Sequence, residues 1–322
     1  MDQMTTPTFP DLPPNTDTGS LAPAIDAIVG GDFSRSRLAA FSDLDRNRAA
    51  YLRAHWLDIP EIERHALILA LAEIGDQSLE FNFNRVYRIA LNDPNPVVRQ
   101  LAIVDLWEDE GRDLPPEYVR MLRTDSSDDV RAVAAEALSV ACDAIAEDDS
   151  NVLDREALIE LLAGLIEDPT ESPLIRRSCL GAVGAFGSDP RVTQLIRLGL
   201  DDDDQTVVAG AVYAMGRTAS EDWTPDLLNF LQSEDAELRF EAARAAGLIG
   251  DMDAVRELAD LVYDPDLDVR AAALTALGSI GGPAAIRVLR EVEQDEEFEE
   301  DEIIDEALDA ALLTVNPLER QL

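Results

Sequence analysis

A pattern of about 31 residues recurs through most of this 322-residue chain and constrains the fold more than any other feature. Its clearest copy, 264–281, reads DPDLDVRAAALTALGSIG. An Asp-rich turn precedes an apolar anchor residue, which here is Val269. Ala follows four residues after the anchor, apolar residues follow at seven and eight, and Gly follows at nine. The anchors stand at positions 98, 130, 175, 207, 238 and 269, at intervals of 32, 45, 32, 31 and 31 residues.

The spacing within one copy is that of a helix. Offsets of 0, 4, 7 and 8 from the anchor fall on one side of an α-helix. Asp or Ser before the anchor suits the N-cap, and we expect the Gly at offset 9 to end the helix in the left-handed conformation. A second amphipathic segment precedes most copies, as at 156–168, 191–200, 225–232 and 253–264. Such short helices bury their apolar faces only by stacking, so the pattern predicts an all-α array of helical hairpins.

The unit D-x-x-x-x-V-R-x-x-A-x-x-A-L-G resembles the HEAT repeat, in the short bacterial and archaeal variety grouped with phycobilisome-lyase-like repeats. The resemblance covers about residues 85–318. It implies an α-solenoid of stacked helix-turn-helix repeats that winds as a right-handed superhelix. The long interval near 142–154 is then an acidic loop or an extended helix end.

An arginine follows the anchor in five of the six copies. In the HEAT family this arginine typically pairs with the turn Asp of its own or a neighbouring repeat, so the resemblance implies a structural ladder and not a binding site. The sixth copy carries Val208 at this position, which predicts a local break. The predicted ladder consists of Arg99, Arg131, Arg176, Arg239 and Arg270.

Composition divides the chain into four predicted parts. Residues 1–20 contain four prolines among polar residues and are expected to be a disordered tail. Residues 21–84 read as a helical N-terminal cap with a degenerate repeat. Residues 85–290 hold the repeats, and residues 291–322 form an acidic linker with a capping helix.

Sequence motifs for catalysis are missing. Deoxyhypusine hydroxylase, a HEAT-type di-iron enzyme, needs paired His-Glu motifs, whereas this chain has only His55 and His65, and neither precedes Glu. Two histidines ten residues apart also do not suit zinc hydrolysis. The chain has no Lys, hence no P-loop, and its Asp-rich turns lack the Gly and Glu of a calcium loop. We therefore expect no enzymatic activity, no catalytic residues, no cofactor and no metal.

Charge limits the classes of partner. The chain has 66 acidic residues against 26 arginines, which gives a net charge of −40. Such a polyanion repels nucleic acids and anionic membranes, and no apolar run is long enough to span a bilayer. Salt adaptation, an Arg-favouring genome and recognition of a basic partner all remain open as explanations. Cys142 and Cys179 are expected to be buried thiols of a cytoplasmic protein.

A less acidic stripe is predicted along the second helix of each repeat, at offsets 2, 3 and 6, which we expect to face away from the core into a concave groove. Aromatic and Arg side chains are enriched in binding hot spots. The candidate groove residues are Leu101, Val133, Arg177, Tyr213, Phe240 and Arg244. We expect a non-catalytic scaffold or adaptor that binds an extended or helical segment of an unidentified protein. The alternatives are side chains that merely pack on adjacent helices, a phycobilin-lyase-like or other enzymatic accessory role, and an architectural subunit.

Overall fold

The computed structural model of the chain describes residues 21–78, 80–107, 109–147, 152–295 and 302–315. The predicted disordered tail, 1–20, lies outside the described residues, as do 296–301 of the predicted acidic linker. Within the described ranges the chain forms helices and turns and no strand, which confirms the all-α prediction. The chain divides into two compact units after Gly111, inside the predicted repeat segment 85–290.

Unit 1 contains six α-helices in its described part. They are α1 (Ala22–Val29), α2 (Arg35–Leu38), α3 (Arg46–His55), α4 (Glu61–Asp76), α5 (Asn84–Ala90) and α6 (Pro96–Val104). Helix α4 packs against α6, α3 packs against α5, and α5 packs against α6. Phe41, Leu52, Ile59 and Leu67 are wholly buried in unit 1.

Unit 2 continues with twelve helices in its described part. They are α7 (Leu114–Thr124), α8 (Asp128–Ala146), α9 (Arg155–Glu167), α10 (Pro173–Val183), α11 (Pro190–Leu200), α12 (Gln205–Arg217), α13 (Thr224–Phe230), α14 (Ala236–Ile249), α15 (Val255–Leu261), α16 (Leu267–Ile280), α17 (Gly282–Glu293) and α18 (Glu302–Val315). Consecutive helices form hairpins, and the even-numbered second helices stack on one another from α8 to α18. This is the α-solenoid architecture predicted from the repeat. Its superhelical handedness stays a prediction.

The N-cap prediction is confirmed for the Asp residues of the last three copies, whereas Ser127 and Ser172 at the same position make no side-chain cap hydrogen bond. The side chains of Asp204, Asp235 and Asp266 each accept a hydrogen bond from an amide in the first turn of the helix that follows. Such bonds satisfy amides that have no partner within the helix. Asp at these positions also places negative charge at the positive end of the helix dipole.

The prediction for the glycine at offset 9 is wrong. Gly216, Gly247 and Gly278 lie inside their helices and not at left-handed ends. A Cβ on Gly247 would lie 3.0 Å from Ala276 Cα, and one on Gly278 would lie 2.9 Å from Ala307 Cα. The glycines therefore mark close backbone approach between neighbouring second helices.

In α18, the last of the second helices, charged residues stand where the earlier second helices have small or apolar contact residues. In the interior helices offset 5 is buried, as at Val212 and Leu274, whereas the matching Asp305 of α18 is exposed. The position of the offset-9 glycine is taken in α18 by Asp309, which is also exposed. Stacking a further helix here would bury unpaired carboxylates, so these charges oppose extension of the array.

Replacing Gly216 by Ala should destabilise the chain by about 1–2 kcal/mol, because a Cβ there overlaps the Ala245 backbone and overpacking outweighs the better helix propensity of Ala. The matched control is Gly164→Ala on the exposed face of α9, where a Cβ meets nothing within 4 Å. The control should gain about 0.5–1 kcal/mol. Urea denaturation measures both, and equal effects of the two substitutions would contradict the close-approach role.

Candidate functional site on the second helices of unit 2

Four of the six predicted groove residues meet in one cluster. Arg177 lies on α10, Tyr213 on α12, and Phe240 and Arg244 on α14. The guanidinium carbon of Arg244 lies 4.3 Å from the centroid of the Tyr213 ring and 5.5 Å from that of Phe240. Both distances are within the range of cation–π attraction. We call these four residues, together with Glu237 and Glu241, the arginine cluster.

Glu241 links the two arginines of the cluster. It was not among the residues predicted from the sequence. Glu241 is 2% exposed, and its carboxylate accepts hydrogen bonds from Arg177 Nη2 at 2.8 Å and from Arg244 Nη1 at 2.9 Å. Burial raises the pKa of Glu241 above its usual value, although both arginines act to lower it. Burial also opposes the charge of Arg177, but its pairs with Glu237 and Glu241 raise the Arg177 pKa overall. The spacing of Glu241 three residues before Arg244 is the signal in the sequence.

Two long ion pairs cross an intervening second helix at a glycine. Arg177 of α10 reaches Glu241 of α14 over Gly210 of α12, where a Cβ would lie 2.8 Å from Arg177 Cα. Arg217 of α12 likewise reaches Asp143 of α8 at 2.8 Å. Both arginines thus already have carboxylate partners within the chain.

The prediction that offset 3 faces away from the core is wrong for the later copies. The residues at that offset are buried, namely Ser178, Gly210, Glu241 and Ala272. The second helices approach each other so closely that the residues at offset 3 are covered as well as those at the core-facing offsets. Offset 6 is more accessible in the last three copies, since Tyr213 is half-buried and Arg244 and Thr275 are exposed, whereas Gly181 is buried.

Two cavities flank the Tyr213–Arg244 pair, and both residues line each of them. The first cavity, of about 420 Å³, is mainly apolar and is also lined by Phe240, Leu248 and Thr275. We call it the apolar cavity. A second cavity, of about 340 Å³, has mostly polar walls that include Arg177 and Glu241. We call it the polar cavity, and its other lining residues are Glu136, Ser139, Ser178, Gly181 and Gly210.

The remaining two predicted groove residues do not join this cluster. Val133 is half-buried on α8 and lines neither cavity. Leu101 is half-buried on α6 and belongs to unit 1.

Arginines that follow the anchor contact the turn within the next hairpin. Arg176 Nη2 donates to Asp202 of the next hairpin at 2.6 Å, and Arg239 Nε donates to Asp264 at 2.7 Å. Each acceptor stands five residues before the next anchor. The bond from Arg239 lowers the pKa of Asp264.

The other predicted ladder members make related contacts. Arg131 Nη1 donates to Glu171 at 2.9 Å. Arg99 and Arg270 donate to main-chain carbonyl oxygens of the turns before them, those of Asp93 and Asp264.

Arg64 of unit 1 makes a pair of the same kind that the sequence analysis missed. Its Nε donates to the fully buried Asp93 at 2.6 Å, and Trp56 Nε1 donates to the same carboxylate at 2.7 Å. Asp93 stands five residues before the anchor Val98, and this spacing was the available signal.

In the copy where Val208 replaces the arginine, the acidic partner five residues before the next anchor is missing as well. Ser233 occupies the position five residues before the anchor Leu238. Both partners of the pair are therefore absent together, which avoids a buried carboxylate without a cation.

Residues with metal-binding or nucleophilic side chains are dispersed. No group of three or more His, Cys, Asp or Glu residues could hold a metal within the described ranges. His55 Nδ1 lies 2.7 Å from a carboxylate oxygen of Asp58 on the exposed surface. Cys142 and Cys179 are buried and not bonded to each other, and burial raises the pKa of the Cys142 thiol to about 12. None of the helices in the described part of the chain is long and apolar enough to span a membrane.

An isolated carboxyl group lies in unit 1. Asp105 Oδ2 is buried and has no hydrogen-bond partner within the described residues. Burial, with a smaller effect of the Asp76 charge, raises the pKa of Asp105 to about 6. Ionised Asp105 therefore costs stability at neutral pH.

Replacing Arg239 by Ala should cost about 3 kcal/mol, because Asp264 would keep its buried charge without a partner. The matched control is Arg120→Ala, which removes a pair to Glu117 on the exposed side of α7 and should cost less than about 1 kcal/mol. Urea denaturation of both variants measures the difference, and similar losses would argue against a structural role for the turn arginines.

Asp105→Asn should stabilise unit 1 at pH 8 and lose this advantage as the pH falls towards 4. The folded-state pKa of about 6 lies above the ordinary 3.8, so the wild-type chain gains stability from Asp105 as the pH falls between these values. Because the residue is only half-buried, the expected gain at pH 8 is about 1 kcal/mol. Thermal unfolding across this pH range, with the exposed Asp26→Asn as control, tests it. A gain that does not vary with pH would contradict the assignment.

Comparisons with known proteins show the family and the fold. Among solved structures, the complex of CpcE and CpcF of phycocyanin lyase from Nostoc sp. PCC7120 is similar with a TM-score of 0.55 and 21% identity, covering 84% of this chain and 95% of that chain. YibA of Escherichia coli has a TM-score of 0.41 and 16% identity, covering 74% of this chain and 96% of its own. Human deoxyhypusine hydroxylase has a TM-score of 0.34 and 19% identity, covering 91% of this chain and 96% of its own. No curated protein sequence matches the chain.

A comparison of the sequence with family models shows the family. A family model of HEAT repeats matches residues 121–216 and 224–308, which is more than half of the chain. These ranges hold the stacked hairpins of unit 2 described above. The chain therefore belongs to the HEAT-repeat family.

Proposed function

We propose that this chain is a non-catalytic protein-binding scaffold, and that the second helices of unit 2 hold a segment of a partner protein. The observation that carries the proposal is the apolar cavity lined by the half-buried Tyr213 and Phe240. Its volume is at the small end of the range of ligand pockets, which suits a side chain of a bound segment. We place the chain in the cytoplasm, where reducing conditions suit the two buried thiols of Cys142 and Cys179.

The residues around the apolar cavity support binding of a polypeptide. Tyr and Arg dominate the energetics of protein interfaces, and here Arg244 is held against Tyr213 and Phe240 before any partner arrives. Leu248 at the cavity wall is 50% exposed, so a partner side chain gains apolar contact there. A preorganised aromatic surface loses little side-chain entropy on binding.

The pairing within the arginine cluster favours a non-catalytic role. All four charged members of the arginine cluster are engaged in ion pairs with one another. An accessory role like that of the phycocyanin lyase complex is the alternative, and saturable binding of an open-chain tetrapyrrole by the purified chain would favour it. An architectural subunit would instead purify with a fixed stoichiometric partner.

Filling the apolar cavity should weaken segment binding. Peptides are first selected on the full chain from a displayed library of short random sequences. Thr275→Trp places an indole in the cavity and should weaken the selected peptides by at least about tenfold. Thr193→Trp on the exposed face of α11, a first helix, is the matched control and should leave their affinity unchanged.

The measurement is fluorescence anisotropy of labelled peptides, with circular dichroism to show that both variants keep their helix content. If Thr275→Trp and Thr193→Trp bind the peptides equally well, the apolar cavity is not the binding site and the proposal fails.

A further inference from the structure

We infer that the polar cavity next to the apolar one receives the guanidinium group of an arginine in the bound segment. This inference rests on the proposed function and adds a chemical identity to one residue of the partner. Its basis is a carboxylate in the cavity wall, Glu136, that lacks a basic partner.

The charged groups that line the polar cavity are unevenly paired. Two carboxylates, those of Glu136 and Glu241, and two guanidinium groups, those of Arg177 and Arg244, line the cavity. Glu237, which does not line it, adds a third carboxylate beside Arg177. Glu237 and Glu241 are both paired with these arginines. Glu136 accepts only the hydroxyl of Ser178, at 3.0 Å, and no arginine or histidine of the described residues lies within ion-pair distance.

The residues that line the polar cavity suit the chemistry of a guanidinium group. They include Tyr213 on one helix and Glu136 on another. Arginine pairs with carboxylates through its planar fork and stacks on aromatic faces, whereas lysine presents a compact, strongly hydrated charge. Arg244 already shows this mode within the chain, because it stacks on Tyr213 and donates to Glu241.

An anionic partner group fits the polar cavity poorly. Arg177 and Arg244 already donate to carboxylates, and the negative charge of these carboxylates opposes an incoming anion. The net charge of −40 repels anions at long range and attracts cations. That long-range attraction is unspecific, and an experiment must separate it from binding in the cavity.

The probe is N-acetyl-arginine amide, with N-acetyl-citrulline amide as its neutral isostere. Titration into the ¹⁵N-labelled full chain, followed by backbone amide shifts on α8, α10 and α14, should show saturable binding of the arginine compound and none of the citrulline compound. Glu136→Gln should weaken the arginine compound by at least about tenfold, because it removes one charge-assisted hydrogen bond.

The matched control is Glu160→Gln on the exposed face of α9, which changes the net charge by the same amount and should leave binding unchanged. Equal weakening by both variants, or equal binding of arginine and citrulline, would show unspecific attraction and overturn the inference.

Peptide measurements separate this inference from the proposed function. In a selected peptide that contains arginine, arginine-to-citrulline exchange should weaken binding to the wild type but not to Glu136→Gln. If selected peptides lack arginine and still lose affinity with Thr275→Trp, the proposed function stands and this inference fails. If the arginine compound binds but no peptide responds to Thr275→Trp, the proposed function fails while the polar cavity keeps its assignment.

Discussion

The close approach of neighbouring second helices is the constraint on which the rest of unit 2 depends. Glycine at offset 9 meets an alanine backbone of the next helix, as Gly247 meets Ala276 and Gly278 meets Ala307. Side chains larger than hydrogen at these positions would push the helices apart. The separation set by these contacts in turn decides which side chains are covered and which can reach a helix beyond their neighbour.

The arginine cluster is a consequence of that small separation. Arg177 can span α12 because Gly210 leaves room for it, and its partner Glu241 is buried between helices instead of facing solvent. A buried carboxylate needs compensation, which two arginines provide. The aromatic residues hold Arg244 between them, so this part of the face is ordered around ion pairs and leaves two cavities of different polarity on either side.

The repeat pattern was sufficient to predict helical hairpins, their stacking and their Asp N-caps. Those features depend on residues close in the chain, whose periodicity and turn chemistry are visible in one copy. The role of the offset-9 glycine was predicted wrongly, because a left-handed helix end and a helix–helix contact both favour glycine. The Arg64–Asp93 ion pair was not predicted for a related reason. Its residues are 29 positions apart, and their contact can be inferred only when the stacking of the helices is known.

By itself, the sequence determined that this chain is an acidic, all-α repeat protein of the HEAT type, and it indicated four of the residues that form the arginine cluster. Only the tertiary structure decided which charges are already neutralised. Arg177 and Arg244 are paired within the chain, whereas Glu136 lacks a cation. The contacts Ser178–Glu136 and Arg177–Glu241 join residues 42 and 64 positions apart, and such contacts leave no local pattern. The physical reason is that ion pairing depends on distances of a few ångströms in space, and in a stacked array those distances are set by how closely the hairpins pack.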